Sequence, residues 1–202
     1  MTASTGYLNQ DEVSNLRDLG KFNGNGSTQK ANLRLVAPQG QIQVHMTSYR
    51  GSFPIVLSEA LRSAGLGSEV LIAQFLKGGV EQGVTKAIKL CGKLSWIRPN
   101  LPYSLGHKTI AKDPESEEFL EAKEAIREIW QICKDRLLRK TIQKLVLDEI
   151  GLAIQLGLLE EEELISTLED RLSSIDVILT GPSIPPKVIA MADQVTELRC
   201  SK

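Results

Sequence analysis

The sequence predicts a three-layer α/β/α sandwich with a mostly parallel sheet. Three observations carry that expectation. Short apolar runs alternate with helical periodicities from Gln41 onward. Two of the runs, Glu69–Phe75 and Gln143–Leu147, are apolar on both faces, as strands covered by helices on both sides are. Strand and helix follow one another along the chain, which favours parallel pairing through right-handed crossovers.

The first 40 residues stand apart. They are rich in Gly, Asn, Ser, Thr and Gln, with the linker-like run Asn23-Gly24-Asn25-Gly26-Ser27. Val13, Leu16 and Leu19 share a spacing of three, enough for one or two amphipathic turns around Glu12–Leu19. Residues 1–40 read as a flexible arm, and 41–202 as a single domain.

The domain opens on a strand, where Ile42, Val44 and Met46 alternate with polar residues. His45 points the other way and reads as a core histidine. A helix follows from Phe53 to Ser63, with Ile55, Leu57, Ala60, Leu61 and Ala64 as its apolar face and Gly65 as its stop. After Glu69–Phe75 comes a loop at Leu76-Lys77-Gly78-Gly79, then a helical stretch near Val84–Leu90. Lys93–Ile97 is the next strand, and a long loop containing His107 runs from Asn100 to Lys112. Glu115–Lys140 is a helix, with Phe119, Ala122, Ile126, Ile129, Cys133 and Leu137 repeating at three and four. Its acidic start and basic end suit the helix dipole. Gln143–Leu147 ends at Asp148-Glu149. A helical region spans Gly151–Leu172, broken near Gly157, and its acidic run Glu160–Glu163 reads as a solvated start. Ile175–Leu179, a short helix at Pro185-Pro186 and Val195–Leu198 complete the order.

Composition narrows the function classes. A formal net charge of -1 gives no basic face for nucleic acid. No apolar run is long enough to span a bilayer. The start, MTASTGYLNQDEV, has no signal architecture, so a cytoplasmic location is expected. Cys91, Cys133 and Cys200 are odd in number and widely spaced, which argues against a disulfide framework or zinc site.

In such a fold ligands sit beyond the carboxyl ends of the strands. The first of these ends, from Gln41 to Arg62, has the strand–loop–helix layout of a phosphate-binding loop. Its candidate ligand residues are Thr47, Ser48, Arg50, Gly51 and Ser52, joined by Lys77 and Gly181 from other strand ends. The chemistry of such a loop is altered here. A phosphate loop ends in Gly-Lys-Ser/Thr, whose Lys meets the phosphates and whose hydroxyl holds Mg²⁺. Here Ser52 stands at the lysine position and Phe53 at the hydroxyl position, and Pro54 has no N–H. Asp148 and Glu149 close a buried strand where a Mg²⁺-binding acidic pair would stand, or form a solvated or locally hydrogen-bonded acidic pair. Trp96 reads either as core or as a surface for a flat macrocycle.

Four blocks in order resemble the ATP:corrinoid adenosyltransferases of cobalamin biosynthesis. Gln74-Phe75-Leu76-Lys77-Gly78 is similar to that family's Q-F-I-K-G, and Leu94-Ser95-Trp96 to its F-T-W. Val146-Leu147-Asp148-Glu149-Ile150 resembles V-L-D-E-L. Leu179-Thr180-Gly181, Pro185-Pro186 and Ala192-Asp193 through Leu198 resemble L-T-G-R, P-P and A-D-x-V-T-E-M. The resemblance covers about Gln41–Arg199. It implies a fold like the P-loop NTPases, a homodimer, and ATP with Mg²⁺ and a corrinoid as ligands. The family reaction it implies is transfer of the 5′-deoxyadenosyl group of ATP to a cobalt(I) corrinoid. It also implies corrinoid-facing roles for Trp96 and Leu94.

The departures fall on the phosphate grip. The family's T-G-x-G-K-G-K-T-T lines up with Met46 to Pro54, where only Gly51 is retained and Arg50 is a basic replacement. The arginine expected after Thr-Gly is Pro182. The expectation is a family member with lost or much reduced catalysis that acts in binding or regulation. The alternative is an active adenosyltransferase whose phosphate site is rebuilt from Arg50, Lys77 and loop amides.

Overall fold

Residues 39–51, 54–79, 88–90, 92–106 and 115–199 are described by the computed structural model. The expected arm at 1–40 falls almost wholly outside them, as do Ser52 and Phe53.

Among the described residues seven strands form one sheet: β1 Ile42–Thr47, β2 Val70–Gln74, β3 Ile88–Leu90, β4 Leu94–Ile97, β5 Lys144–Asp148, β6 Asp176–Gly181 and β7 Gln194–Leu198. Their order is β3-β4-β2-β5-β6-β1-β7. Every pairing is parallel except β3 with β4. The helices are α1 Pro54–Gly65, α2 Glu117–Leu138, α3 Ile150–Gln155, α4 Glu161–Glu169 and α5 Pro186–Met191.

One expectation is corrected here. Ile88–Leu90 is an edge strand, not the end of a helical stretch, with Ile88 opposite Trp96 and Leu90 opposite Leu94. So short a segment gains little from helical nucleation, and the open edge of β4 supplies backbone partners instead.

Strand phase makes the layers. Ile42, Val177, Leu145 and Leu71 share one row across the sheet, and Val44, Leu179, Leu147 and Ala73 share another. These rows pack with α2 to α5 in one large cluster. Gln43, Ile178, Val146 and Ile72 alternate to the opposite face. There Val56, Ala60 and Ala64 of α1 pack on Val70, Ile72, Leu94, Val146 and Ile178. The two alanines let α1 sit close to the strands. Lys144, nearly buried at the start of β5, pairs with Glu59 of α1 and lies 3.6 Å from Asp176.

The long helix α2 begins where its cap requires. The Ser116 hydroxyl accepts from the Phe119 N–H at 3.3 Å, and Glu117 and Glu118 occupy the positive first turn. Phe119, Ala122, Ile126, Ile129, Trp130, Cys133 and Leu137 are buried along one stripe. Trp130 meets Phe75 at a centroid distance of 6.4 Å. Burial pushes the Cys133 thiol well above its ordinary range, so it packs as a small apolar group. The acidic first turn of α4 is partly engaged rather than wholly solvated: Glu163 pairs with Lys134 of α2.

Candidate functional site

At the carboxyl ends of the strands the apolar rows give way to a polar one. Register places Thr196, His45, Thr180, Asp148 and Gln74 side by side across β7, β1, β6, β5 and β2. Gln74, Asp148 and Thr180 are almost fully buried. A buried polar group must be bonded, and here the groups bond one another. The Thr180 hydroxyl donates to Asp148 Oδ1 at 2.6 Å, and the Gln74 amide donates to Asp148 Oδ2 at 2.6 Å. Lys77 Nζ stands 3.6 Å from the same Oδ2. The other end of the Gln74 amide accepts twice, from Trp96 Nε1 at 3.0 Å and from Arg98 Nε at 2.8 Å.

Glu149 follows Asp148 in a left-handed conformation, φ 63°. Its N–H donates to the Thr180 carbonyl at 2.9 Å, which turns the chain out of β5 and into α3. Gly181, φ 112°, makes room for that turn: a Cβ there would stand 3.0 Å from Glu149 Cα. The Glu149 side chain, 1% exposed, takes a bidentate grip from Arg50. Arg50 Nε donates to Oε1 at 2.9 Å and Nη2 to Oε2 at 2.8 Å. Nη1 donates to the Leu105 carbonyl at 2.6 Å. Hydrogen bonding to Glu149 raises the Arg50 guanidinium above its already high value, against the opposing pull of burial.

Thus Arg50, Lys77, Asp148, Glu149 and Gly181 gather at the strand ends. Thr47 closes β1 and accepts from the Tyr49 N–H at 3.4 Å, while Ser48 is exposed. Gly51 is half-buried at the end of the described loop, and Ser52 lies beyond it. Leu94 corrects an expectation. It pairs with Val70 at the amino end of β4 and is fully buried under α1, so it offers no surface to a corrinoid. Trp96, two residues on, is half-buried, with the Arg98 guanidinium 5.2 Å from its ring centroid.

The acidic pair does not fit Mg²⁺ in this arrangement. Both Asp148 oxygens accept from buried donors, and both Glu149 oxygens are held by one guanidinium. Among the described residues no three His, Cys, Asp or Glu side chains gather as a metal site.

Sequence reasoning missed Gln74, Thr180, Arg98 and the Leu105 carbonyl as parts of this network. A signal for the first two existed: each is a polar residue at the end of an otherwise apolar strand. The Leu105 carbonyl had none.

Residues 38–202 match the family described as ATP:corrinoid adenosyltransferase BtuR/CobO/CobP. The chain belongs to this family. Similar proteins include the corrinoid adenosyltransferase of Escherichia coli K12, 27% identical over 165 residues, which cover 80% of this chain and 77% of that protein. The corrinoid adenosyltransferase of Pseudomonas aeruginosa is 24% identical over 81% of this chain and 77% of its own length. An uncharacterized protein of Nostoc sp. PCC 7120 is 28% identical over 79% of this chain, which spans only 44% of that longer protein. The α/β fold with its parallel sheet agrees with membership of this adenosyltransferase family. No helix among the described residues is long and apolar enough to cross a membrane.

Proposed function

We propose that this chain is an adenosyltransferase-family protein in which transfer is lost or much reduced, and which acts in binding or regulation. The observation that carries this reading is the fate of Arg50. It is the basic residue left in the degenerate loop, and its Nε, Nη1 and Nη2 all donate inward, to Glu149 and to the Leu105 carbonyl. A triphosphate would have to compete with a buried carboxylate for that cation. Ser52 supplies no ammonium, Phe53 no metal-binding hydroxyl and Pro54 no N–H. Charge-assisted hydrogen bonds of the kind missing are each worth ~1.5–3 kcal/mol, so triphosphate affinity falls by several kcal/mol. The protein is further proposed to act in the cytoplasm as a homodimer.

Two measurements test the reading. Calorimetric titration with Mg²⁺-ATP and with cobalamin is expected to give no low-micromolar nucleotide binding. An anaerobic adenosylation assay with a strong reductant is expected to give no turnover above background. Robust turnover would overturn the proposal and establish an active enzyme with a rebuilt phosphate site. Light scattering tests the assembly, and a monomer mass would refute the dimer.

A further inference from the structure

Arg98 sits at the carboxyl end of β4 in a setting no catalytic reading requires. Its Nε is fixed on Gln74 Oε1, and its guanidinium carbon lies 5.2 Å from the Trp96 ring centroid. The ring is itself fixed, because Trp96 Nε1 donates to the same Gln74 oxygen. That oxygen is in turn held in place, since the amide nitrogen of Gln74 is bound to Asp148. The guanidinium is therefore locked by two contacts on groups that cannot swing away.

Charge is the unbalanced quantity. Arg98 is half-buried, yet among the described residues no carboxylate pairs with it. The acid of the network, Asp148, is reached only through the Gln74 amide and already holds Thr180 and Gln74 donors beside Lys77. An opposite charge within about 4–6 Å favours the charged form of a cation taken partly out of water. Among the described residues no acceptor holds either terminal amine of Arg98, and the two form the parallel fork that matches a carboxylate or phosphate.

We infer that Arg98, stacked on Trp96, is a preorganised receptor for an oxyanion, a carboxylate or a phosphate group, at the carboxyl end of β4. The placement is where open α/β sheets take ligands. It is not the phosphate loop: β4 is four strands from β1, about 19 Å at ~4.8 Å per strand. The inference therefore stands whether or not the chain transfers adenosyl groups.

The two indole N–H signals of the ¹⁵N-labelled protein provide the test. Trp96 Nε1 shares its acceptor with Arg98, whereas Trp130 lies on the buried face of α2 and serves as internal control. Inorganic phosphate and acetate are titrated separately against chloride at constant ionic strength, with Trp96→Phe assigning the signals. The expected result is a saturable shift of the Trp96 signal with Trp130 unmoved. Arg98→Lys is expected to weaken it about tenfold and Arg98→Gln to abolish it, with the Trp130 signal in place to show an intact fold. A response to both probes supports a general oxyanion site; a response to one supports the site and fixes its source. Absence of a saturable shift with either probe, or an equal shift in Arg98→Gln, would overturn the inference.

Discussion

Arg50 and Glu149, 99 residues apart in sequence, are joined by two parallel hydrogen bonds of 2.9 and 2.8 Å. The pair ties the loop after β1 to the end of β5. The third bond of Arg50, to the Leu105 carbonyl, brings in the loop after β4. A phosphate loop normally presents its basic residue to a ligand; here the basic side chain closes three strand ends upon themselves.

Removing either partner of this pair has unequal consequences. Arg50→Ala leaves a carboxylate that is 1% exposed without its cation. Removing one partner of a fully buried pair costs ~3–5 kcal/mol, and the partial exposure of Arg50 reduces this to about 2 kcal/mol. Glu149→Gln keeps the shape and one acceptor and leaves its cation partly solvated, so the loss is about 1 kcal/mol. Urea denaturation of both variants checks the order. A larger loss for Glu149→Gln would show that the cation, not the acid, is the buried partner.

Repair of the phosphate loop is expected to require several changes together. Ser52→Lys supplies a cation but leaves Phe53 without a hydroxyl and Pro54 without an N–H. Groups that act as one unit are strongly non-additive, so the single variant gains little. Lys, Thr and Thr at positions 52, 53 and 54 together should give measurable Mg²⁺-ATP binding by calorimetry. Tight binding by Ser52→Lys alone would refute this.

Gly78 is a position of close approach. A Cβ there would stand 2.0 Å from the Tyr103 carbonyl oxygen and 2.7 Å from that of Leu101. Backbone cannot yield as a side-chain tip can, so Gly78→Ala should destabilise by about 3 kcal/mol, the upper range for overpacking. The loop holding Arg98 and Leu105 would be displaced. Thermal unfolding and the Trp96 indole signal report the two effects, and an unchanged melting temperature would contradict the packing.

Leu94→Ala tests the reassignment of that residue to the core. Deleting a fully buried leucine costs ~2–5 kcal/mol, and about 3 kcal/mol is expected here. A change in cobalamin binding with stability untouched would restore the ligand-facing reading.

His45 gives stability a pH dependence. Burial lowers its pKa below the ordinary 6.5, opposed by the field of Glu59. The unfolded chain therefore binds its proton at a higher pH than the native protein does. Stability from this group is fully present above 6.5 and declines as pH falls from 6.5 through the folded pKa. Denaturant midpoints at several pH values should show a steeper acid-side loss for wild type than for His45→Gln. Identical profiles would exclude the histidine as the source.

Element identity was legible in the residues because it depends on local periodicity. The double-sided apolar runs at Val70–Gln74 and Lys144–Asp148, and the three-and-four stripe of α2, read correctly within a few residues. The four sequence blocks at the strand ends likewise indicated the family. The order β3-β4-β2-β5-β6-β1-β7 was not legible, since pairing joins segments with no local sign of their neighbours. Ile88–Leu90 became a strand only because the edge of β4 lay open beside it. Leu94 and Trp96 share one face of a strand, yet register placed Leu94 at the buried amino end and Trp96 near the ligand end. The partners of Arg50, Gln74 and Arg98 were likewise decided in three dimensions. A side chain's charge is written in its own residue, but which group satisfies it depends on what the sheet brings within about 3 Å.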